Sequence, residues 1–595
     1  MRHAVALPVL FALAACATPR GGVGPAPVRV KVIGFNDFHG NLEPPRTSVS
    51  ASVAGQAEPV RVPAGGAAYF ASALARLRAA NPNNVTVSAG DMIGASPLTS
   101  SIVLDEPTVM AMNLMQVDFN AVGNHEFDRG RAELLRMQKG GCEKNTGRTP
   151  CALDRFPGAR FNILAANVRT ESGATLFPAY GIRTFRDGGR QVRVGFIGLT
   201  LKGTPTLVTP AGVAGLKFED EAATINALVP TLRRAGADAI VVMIHQGGAQ
   251  QGARYATSAA DVPPAQGCGS LEGDLLPILA KLDPAVDLVV SGHTHNAYIC
   301  DYAKVDPARR FLVTSAGRYG TLVTDIELGI APGRGVVSRQ ARNLIVQGEG
   351  YGSGSGAVAL SDRFPVYPRD PVVAALVGRY AAAAAPLAAR VVGELSGPAT
   401  RDKSPAGESP AGDLIADAQL AATRDPKNGG AQIAFMNGYG VRADIRPTGG
   451  KVTFGDIYAA QPFGNSLMVR TFTGAQIRRL LEQQFASGAN TVDKPNMLMP
   501  SRGLTYAYDL RKPEGQRILD LELDGRPIED ARSYRVTISN FLATGGDNFT
   551  VFAEGADTVG AGQDLDALEA YFAAAGRLDP PAPDRIRRLD ASVGK

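Results

Sequence analysis

Five of the chain's six histidines stand in short motifs that read as metal-site patterns. They are His39 in Asn36-Asp37-Phe38-His39-Gly40, His125 in Gly123-Asn124-His125-Glu126, His245 after Val242-Met243-Ile244, and His293 and His295 in Gly292-His293-Thr294-His295. Neutral imidazole is the commonest metal ligand among side chains. Asp37, Asn124 and Asp91, which follows Gly90 at the end of an apolar run, extend the set with oxygen donors. Mixed nitrogen and oxygen donors suit Zn, Mn, Fe or Co rather than Ca. The number of donors is enough for two divalent ions sharing one carboxylate. A hydroxide held between ions about 3.5–4 Å apart is a strong nucleophile at neutral pH, so the chemistry expected is metal-assisted hydrolysis.

Residues this far apart in sequence meet only if strand ends bring them together. Short Val- and Ile-rich runs predict strands at Val28–Phe35, Val85–Ala89, Phe119–Val122, Val192–Leu199, Ala239–Ile244, Leu288–Val290 and Phe311–Thr314. Helices are expected between them, for example at Ala67–Ala79 and Glu221–Ala235, which is the alternation of an α/β domain. Several runs lead straight into the motifs, the usual place for a site in such a sheet. This first domain is expected over 28–347. A Gly/Ser/Pro linker and an Ala-rich connecting helix, about Val372 to Arg390 with Pro386 as a kink or early stop, fill 348–390. The second domain, 391–578, mixes strands (Ile433–Met436, Ser466–Phe472, Tyr534–Ser539) with helices (Gly412–Thr423, Gly474–Gln484, Leu565–Ala575) as an α+β unit. Residues 579–595, with Arg585-Ile586-Arg587-Arg588, read as a solvated tail.

At 595 residues two domains are expected. Lys and Arg exceed Asp and Glu by only five, which gives no case for a nucleic acid polymer as partner. Residues 1–15 read as a signal peptide: a basic start, an apolar stretch too short to span a bilayer, and small residues at the end. Leu13-Ala14-Ala15-Cys16 resembles a bacterial lipobox, implying a lipid on Cys16, a tether over 17–27 and a periplasmic or outer-membrane-anchored lipoprotein. Ordinary cleavage after Ala14 would instead release a soluble periplasmic protein. Setting Cys16 aside leaves Cys142, Cys151, Cys268 and Cys300. Cys142–Cys151 and Cys268–Cys300 are the expected disulfides, out of three possible connectivities.

The ordered set Asp-x-His, Gly-Asp, Gly-Asn-His-Glu, a lone His after a strand and Gly-His-x-His resembles the calcineurin-like dinuclear metallophosphatases. With the second domain it is similar to the 5′-nucleotidase family, which includes UDP-sugar hydrolases and 2′,3′-cyclic nucleotide phosphodiesterases. The resemblance implies a metallophosphatase sandwich of sheets flanked by helices, joined by a long helix to an α+β substrate-binding domain. It makes Asp37, His39 and His295 ligands of one metal, Asn124, His245 and His293 ligands of the other, and Asp91 the bridge. His125, held by Asp128, then stands beside the phosphate as a catalytic group.

In the second domain, Asn437-Gly438-Tyr439-Gly440-Val441-Arg442, Gln461-Pro462-Phe463-Gly464-Asn465 and Asn540-Phe541-Leu542-Ala543-Thr544-Gly545-Gly546-Asp547 resemble the family's substrate segments. They imply Phe463 and Phe541 as a base clamp, Asn437, Asn465 and Asp547 as nucleoside contacts, and Arg442 on the phosphate. Two departures stand out. Tyr439 replaces a family Gly, and only Arg401 is available where the family places further arginines. The activity implied is nucleotide hydrolysis of the 5′-nucleotidase type, extending to UDP-sugars. The alternatives are a 2′,3′-cyclic-nucleotide phosphodiesterase with 3′-nucleotidase activity, a thiosulfohydrolase-like enzyme, and a surface lipoprotein that binds nucleotides without turnover.

Overall fold

The computed structural model of the chain describes residues 26–51, 58–208, 210–250, 266–267, 271–352 and 357–590. The expected signal peptide, Cys16 and its tether to residue 25, and Cys268 lie outside the described residues.

The first domain stacks two sheets face to face. Strand Val28–Phe35 runs parallel to Asn84–Ser88, which runs parallel to Phe119–Ala121, and Leu322–Ala331 joins its other edge antiparallel. In the second sheet Arg190–Thr200, Ala239–His245 and Leu288–Ser291 are parallel neighbours. Side-chain alternation explains why these strands are apolar throughout. Ala239, Val241 and Met243 point into the core between the sheets, where Val28, Val30, Val32, Val85 and Val87 meet them. Ile240, Val242 and Ile244 point the other way, under helix Glu221–Arg234. The outer face of the first sheet, with Ile33 and Phe35, is covered by helix Ala67–Ala79.

Helix Pro371–Ala388 connects the domains, with Asp370 capping its first turn. Pro386 falls in its last turn and the helix ends two residues later. Val373, Leu376, Val377 and Tyr380 pack on the first domain's core.

The second domain is built on a five-stranded sheet in which Ile433–Asn437 is parallel to Ser533–Ser539, and Ser466–Thr473 is antiparallel to the latter. The loops after Asn437, before Ser466 and after Ser539 therefore share one end of the sheet. The expected solvated tail is corrected here. Ile586–Arg588 is a strand parallel to Leu504–Tyr508. Arg585 is buried, its guanidinium forking onto Asp417 at 2.8 Å through both nitrogens, while Glu408 accepts the Arg585 and Ile586 backbone N–H groups. These bonds give the chain end buried partners.

The Cys142–Cys151 disulfide is present. The second expected bridge includes Cys268, outside the described residues.

Candidate metal centre and substrate face

The carboxyl ends of strands from both sheets deliver the donors to one rim. Asp37 and His39 follow the strand ending at Phe35, Asp91 follows Ser88, Asn124 follows Ala121, His245 closes its strand, and His293 and His295 follow Ser291. The acidic and histidine donors gather in two groups, Asp37 with His39 and His295, and Asp91 with His245 and His293. Asp91 Oδ2 lies 3.0 Å from His245 Nε2 and 3.6 Å from His39 Nε2, between the groups. Asn124 Oδ1 is 3.1 Å from both His245 Nε2 and His293 Nδ1.

Ring nitrogens and oxygens converge across this cluster. His245 Nδ1 is 2.8 Å from the Ala89 carbonyl and His39 Nδ1 is 2.9 Å from the Gly94 carbonyl. A carbonyl only accepts, so each Nδ1 carries a proton and each ring turns its Nε2 inward. His39 Nε2 then faces His295 Nε2 at 3.0 Å, and His245 Nε2 faces two oxygens. Nitrogen and oxygen atoms converging at these distances form a donor set that two divalent ions would fit. Burial works against a proton on His245, but the Asp91 carboxylate outweighs it and holds His245 up at about 10. A metal would displace that proton. His293, lowered to about 3 by burial and by His245, is already neutral.

The backbone is strained to make this possible. Asp37, His39, Asp91, His293 and His295 all have φ between 47° and 69°, a region that costs non-glycine residues about 1–3 kcal/mol each. Gly123 has no room for a side chain, since a Cβ there would lie 2.2 Å from Asp91 Oδ1. Two residues without an assigned role in the sequence reading knit the loops. Asn36 donates to Asp37 Oδ2 at 2.7 Å and accepts from Ala316 N–H. Glu126, buried, accepts the N–H groups of Asp91, Met92 and Gly123 at 2.7–3.0 Å.

His125 stands apart from the donor groups. Its N–H donates to Asp91 Oδ1, and its Nδ1 is held by Asp128 at 2.9 Å, so Nε2 is the free ring atom. Asp128 is itself fixed by Ala95 N–H at 3.1 Å. Burial lowers the His125 pKa, but Asp128 and Asp91 raise it above the ordinary histidine value, which favours the cation.

The second domain faces this rim. The Phe463 ring lies parallel to His125, with centroids 5.6 Å apart and planes 12° apart, and the Arg442 guanidinium sits 5.8 Å from the Phe463 centroid. Arg401 donates to the Arg442 carbonyl at 3.1 Å. Burial lowers its pKa, and the nearby Arg442 and Arg318 lower it further. Arg318 was not singled out in the sequence. Its neighbour Tyr319 has φ of 59°, donates its N–H to the Asp37 carbonyl and packs edge-on against His39 and His295. Asn437 donates to Asp547 at 2.7 Å. Burial, the largest influence, raises Asp547 to about 6. Asn465 is turned inward and donates to Asp564 at 3.2 Å. Phe541 is half-buried against the second domain's core, its ring over Gly546.

This arrangement, dinuclear donors under a separate face of arginine and aromatic side chains, agrees with the comparisons. The calcineurin-like phosphoesterase family matches residues 30–297, and the 5′-nucleotidase C-terminal domain matches 391–554. The chain belongs to the 5′-nucleotidase family, two-domain enzymes with a calcineurin-like catalytic domain, and is a metal-dependent phosphoesterase. It is similar to the NAD 5′-nucleotidase of Haemophilus influenzae (25% identical, covering 89% of this chain and 86% of the relative). It is also similar to endonuclease YhcR of Bacillus subtilis (28% identical over 91% of this chain), of whose length it spans only 39%. Among solved structures it resembles a 5′-nucleotidase precursor from Thermus thermophilus, with a TM-score of 0.71 and 26% identity over 95% of this chain and all of that one.

Proposed function

We propose that the chain is an exported nucleotidase that removes phosphate from nucleoside 5′-phosphates, with UDP-sugars as a further substrate class. The observation that supports this reading is the Phe463–His125 stack, which brings the Phe463 loop of one domain onto His125 of the other. Two divalent ions, when bound by Asp37, His39, His295, Asn124, His245, His293 and the shared Asp91, supply Lewis acidity and a nucleophile at neutral pH. His125, kept cationic by Asp128, meets the developing charge on phosphorus or protonates the leaving oxygen. Arg442, with Arg401 and Arg318 beside it, draws the phosphate to the rim. Phe463 and Phe541 hold the base by stacking, which tolerates different bases and contributes about 1–3 kcal/mol per base. Asn437 and Asp547 contact the nucleoside.

In this reading Cys16 carries a lipid and holds the enzyme at the periplasmic face of a membrane. Phosphate release is to be measured with metal-loaded protein on AMP, UDP-glucose, 2′,3′-cyclic AMP and a thiosulfonate. Preferred release from AMP supports the proposal. Preference for the cyclic nucleotide would establish the phosphodiesterase alternative, and thiosulfonate cleavage alone would leave the nucleoside face without a use.

A further inference from the structure

The Phe463–His125 stack joins side chains from different domains, and one residue outside the site touches both halves of its support. Arg148 lies in the polar loop closed by the Cys142–Cys151 disulfide. One guanidinium nitrogen donates to the Ser101 carbonyl at 2.5 Å, and the other reaches the Tyr458 hydroxyl at 3.4 Å, with the guanidinium 5.8 Å from that ring's centroid. Tyr458 is buried, and its hydroxyl donates to the carbonyl of Pro462 at 3.2 Å, the residue just before Phe463.

On the other side, Ser101 ends the short helix Leu98–Ser101, which follows the segment where Gly94 holds His39 and Ala95 holds Asp128. Leu98 is itself buried in the second domain's core. Arg148 therefore spans the domain junction, with one arm on the segment that orients the His39 and His125 rings and one on the tyrosine that supports the Phe463 loop. Past Phe463 the loop is held by Asn465 on Asp564 and by Ser466 N–H on the Asn540 side chain. Gln461 is buried, and neither its amide oxygen nor its nitrogen has a partner among the described residues.

We propose that Arg148 is a positioning residue that seats Phe463 on His125, and that the Cys142–Cys151 bridge keeps Arg148 in reach of Tyr458. The loop's base is fixed independently: Cys151 N–H donates to Glu106, Arg136 donates to the Gly141 carbonyl, and Asn145 donates to Glu133. Between those anchors Glu143 and Lys144 are exposed. Closing the loop removes conformations that would carry Arg148 away from the tyrosine.

The kinetic arm of the test rests on the nucleotidase reading; the spectroscopic arm does not. In the metal-loaded enzyme Arg148→Ala raises KM for AMP roughly fivefold, the size of one lost hydrogen bond, and leaves kcat/KM for p-nitrophenyl phosphate unchanged. Arg148→Lys, which keeps the charge and loses the fork, falls between. Cys142→Ser with Cys151→Ser reproduces the Arg148→Ala shift. The chain has no tryptophan, so Phe463→Trp gives a single reporter. Stacked on the His125 ring its side chain is held and shielded from water, and adding Arg148→Ala shifts the emission and lowers its anisotropy. If the parent enzyme cleaves the aryl phosphate but not AMP, the nucleotidase reading fails and the emission alone decides the positioning role. Unchanged emission with an unchanged KM overturns the proposal, as does an equal loss of rate on both phosphate esters. An unaltered KM in the double cysteine variant overturns the role given to the bridge.

Discussion

In the first domain five metal-donor residues hold left-handed backbone at strand ends, and their side chains are fixed by carbonyls, N–H groups and one another. In the second domain the loops proposed to bind substrate are held by side-chain hydrogen bonds and ring packing: Tyr458 under Pro462, Asn465 on Asp564, Asn437 on Asp547, Phe541 over Gly546. The difference separates two tasks. Metal geometry must not vary, because a displaced donor loses an ion, and a buried sheet rim supplies that rigidity. The base recognition proposed for the second domain would tolerate small shifts, as loops allow. Changes in the first domain should therefore abolish chemistry, whereas changes in the second should alter which substrate is used and how tightly.

The largest effect is expected from Asp91→Ala. It removes the carboxylate lying between the donor groups, so turnover should fall to background and elemental analysis should show at least one ion lost, with the fold retained. Full metal content with normal turnover would end the dinuclear reading. His125→Asn should keep both ions and reduce kcat by roughly 10²–10⁴, the range for loss of a positioned acid–base group. Loss of metal instead would make His125 a ligand.

A smaller effect, on stability, belongs to the second domain. Burial and then the neighbouring Glu408 raise Asp413 to about 9, and its oxygens receive no N–H or O–H from other described groups. Between two acids one shared proton supplies the missing bond. The folded chain keeps that proton up to about pH 9, whereas the unfolded chain releases it near pH 4. Stability is thus lost as pH rises between those values. Asp413→Asn, neutral throughout, should flatten that fall and raise Tm at pH 8 by about 2–4 °C, the shift given by ~1 kcal/mol in a domain of this size. A parallel pH profile in variant and parent would show that Asp413 is not the proton carrier. Smallest of all, Cys16→Ser should leave kcat/KM unchanged while moving the protein from the membrane to the soluble fraction. Equal membrane fractions would exclude Cys16 as the anchor.

The catalytic rim was legible because its strands are buried on both faces and so are uniformly apolar, and because each ends at a ligand. Val28–Phe35 matches its expected bounds for that reason. Strand Leu322–Ala331 was missed because Asp325 and Glu327 break its apolar run; Asp325 is buried against Lys31 and Arg342. Its hairpin partner Gly335–Ile345 is half exposed and rich in Arg, Gln and Asn, so it lacks the pattern too. The strand Ile586–Arg588 was hidden behind Pro580, Pro581 and Pro583, which read as an unstructured end, and its anchors Asp417 and Glu408 lie about 170 residues away. Arg318 and Tyr319 carry no motif of their own. Only the fold brings them beside His295, as it brings Arg148 to Tyr458.

The most direct test of the division of labour is the double change Phe463→Ala with Phe541→Ala, comparing kcat/KM for AMP and for p-nitrophenyl phosphate with the parent. Loss of both stacking faces should lower the AMP value by a few kcal/mol's worth of binding, about 10²-fold, mainly through KM. The aryl phosphate value should stay unchanged, because the metal donors and His125 are untouched. An equal fall on both substrates would contradict the account, making the two rings part of the core on which the catalytic rim depends.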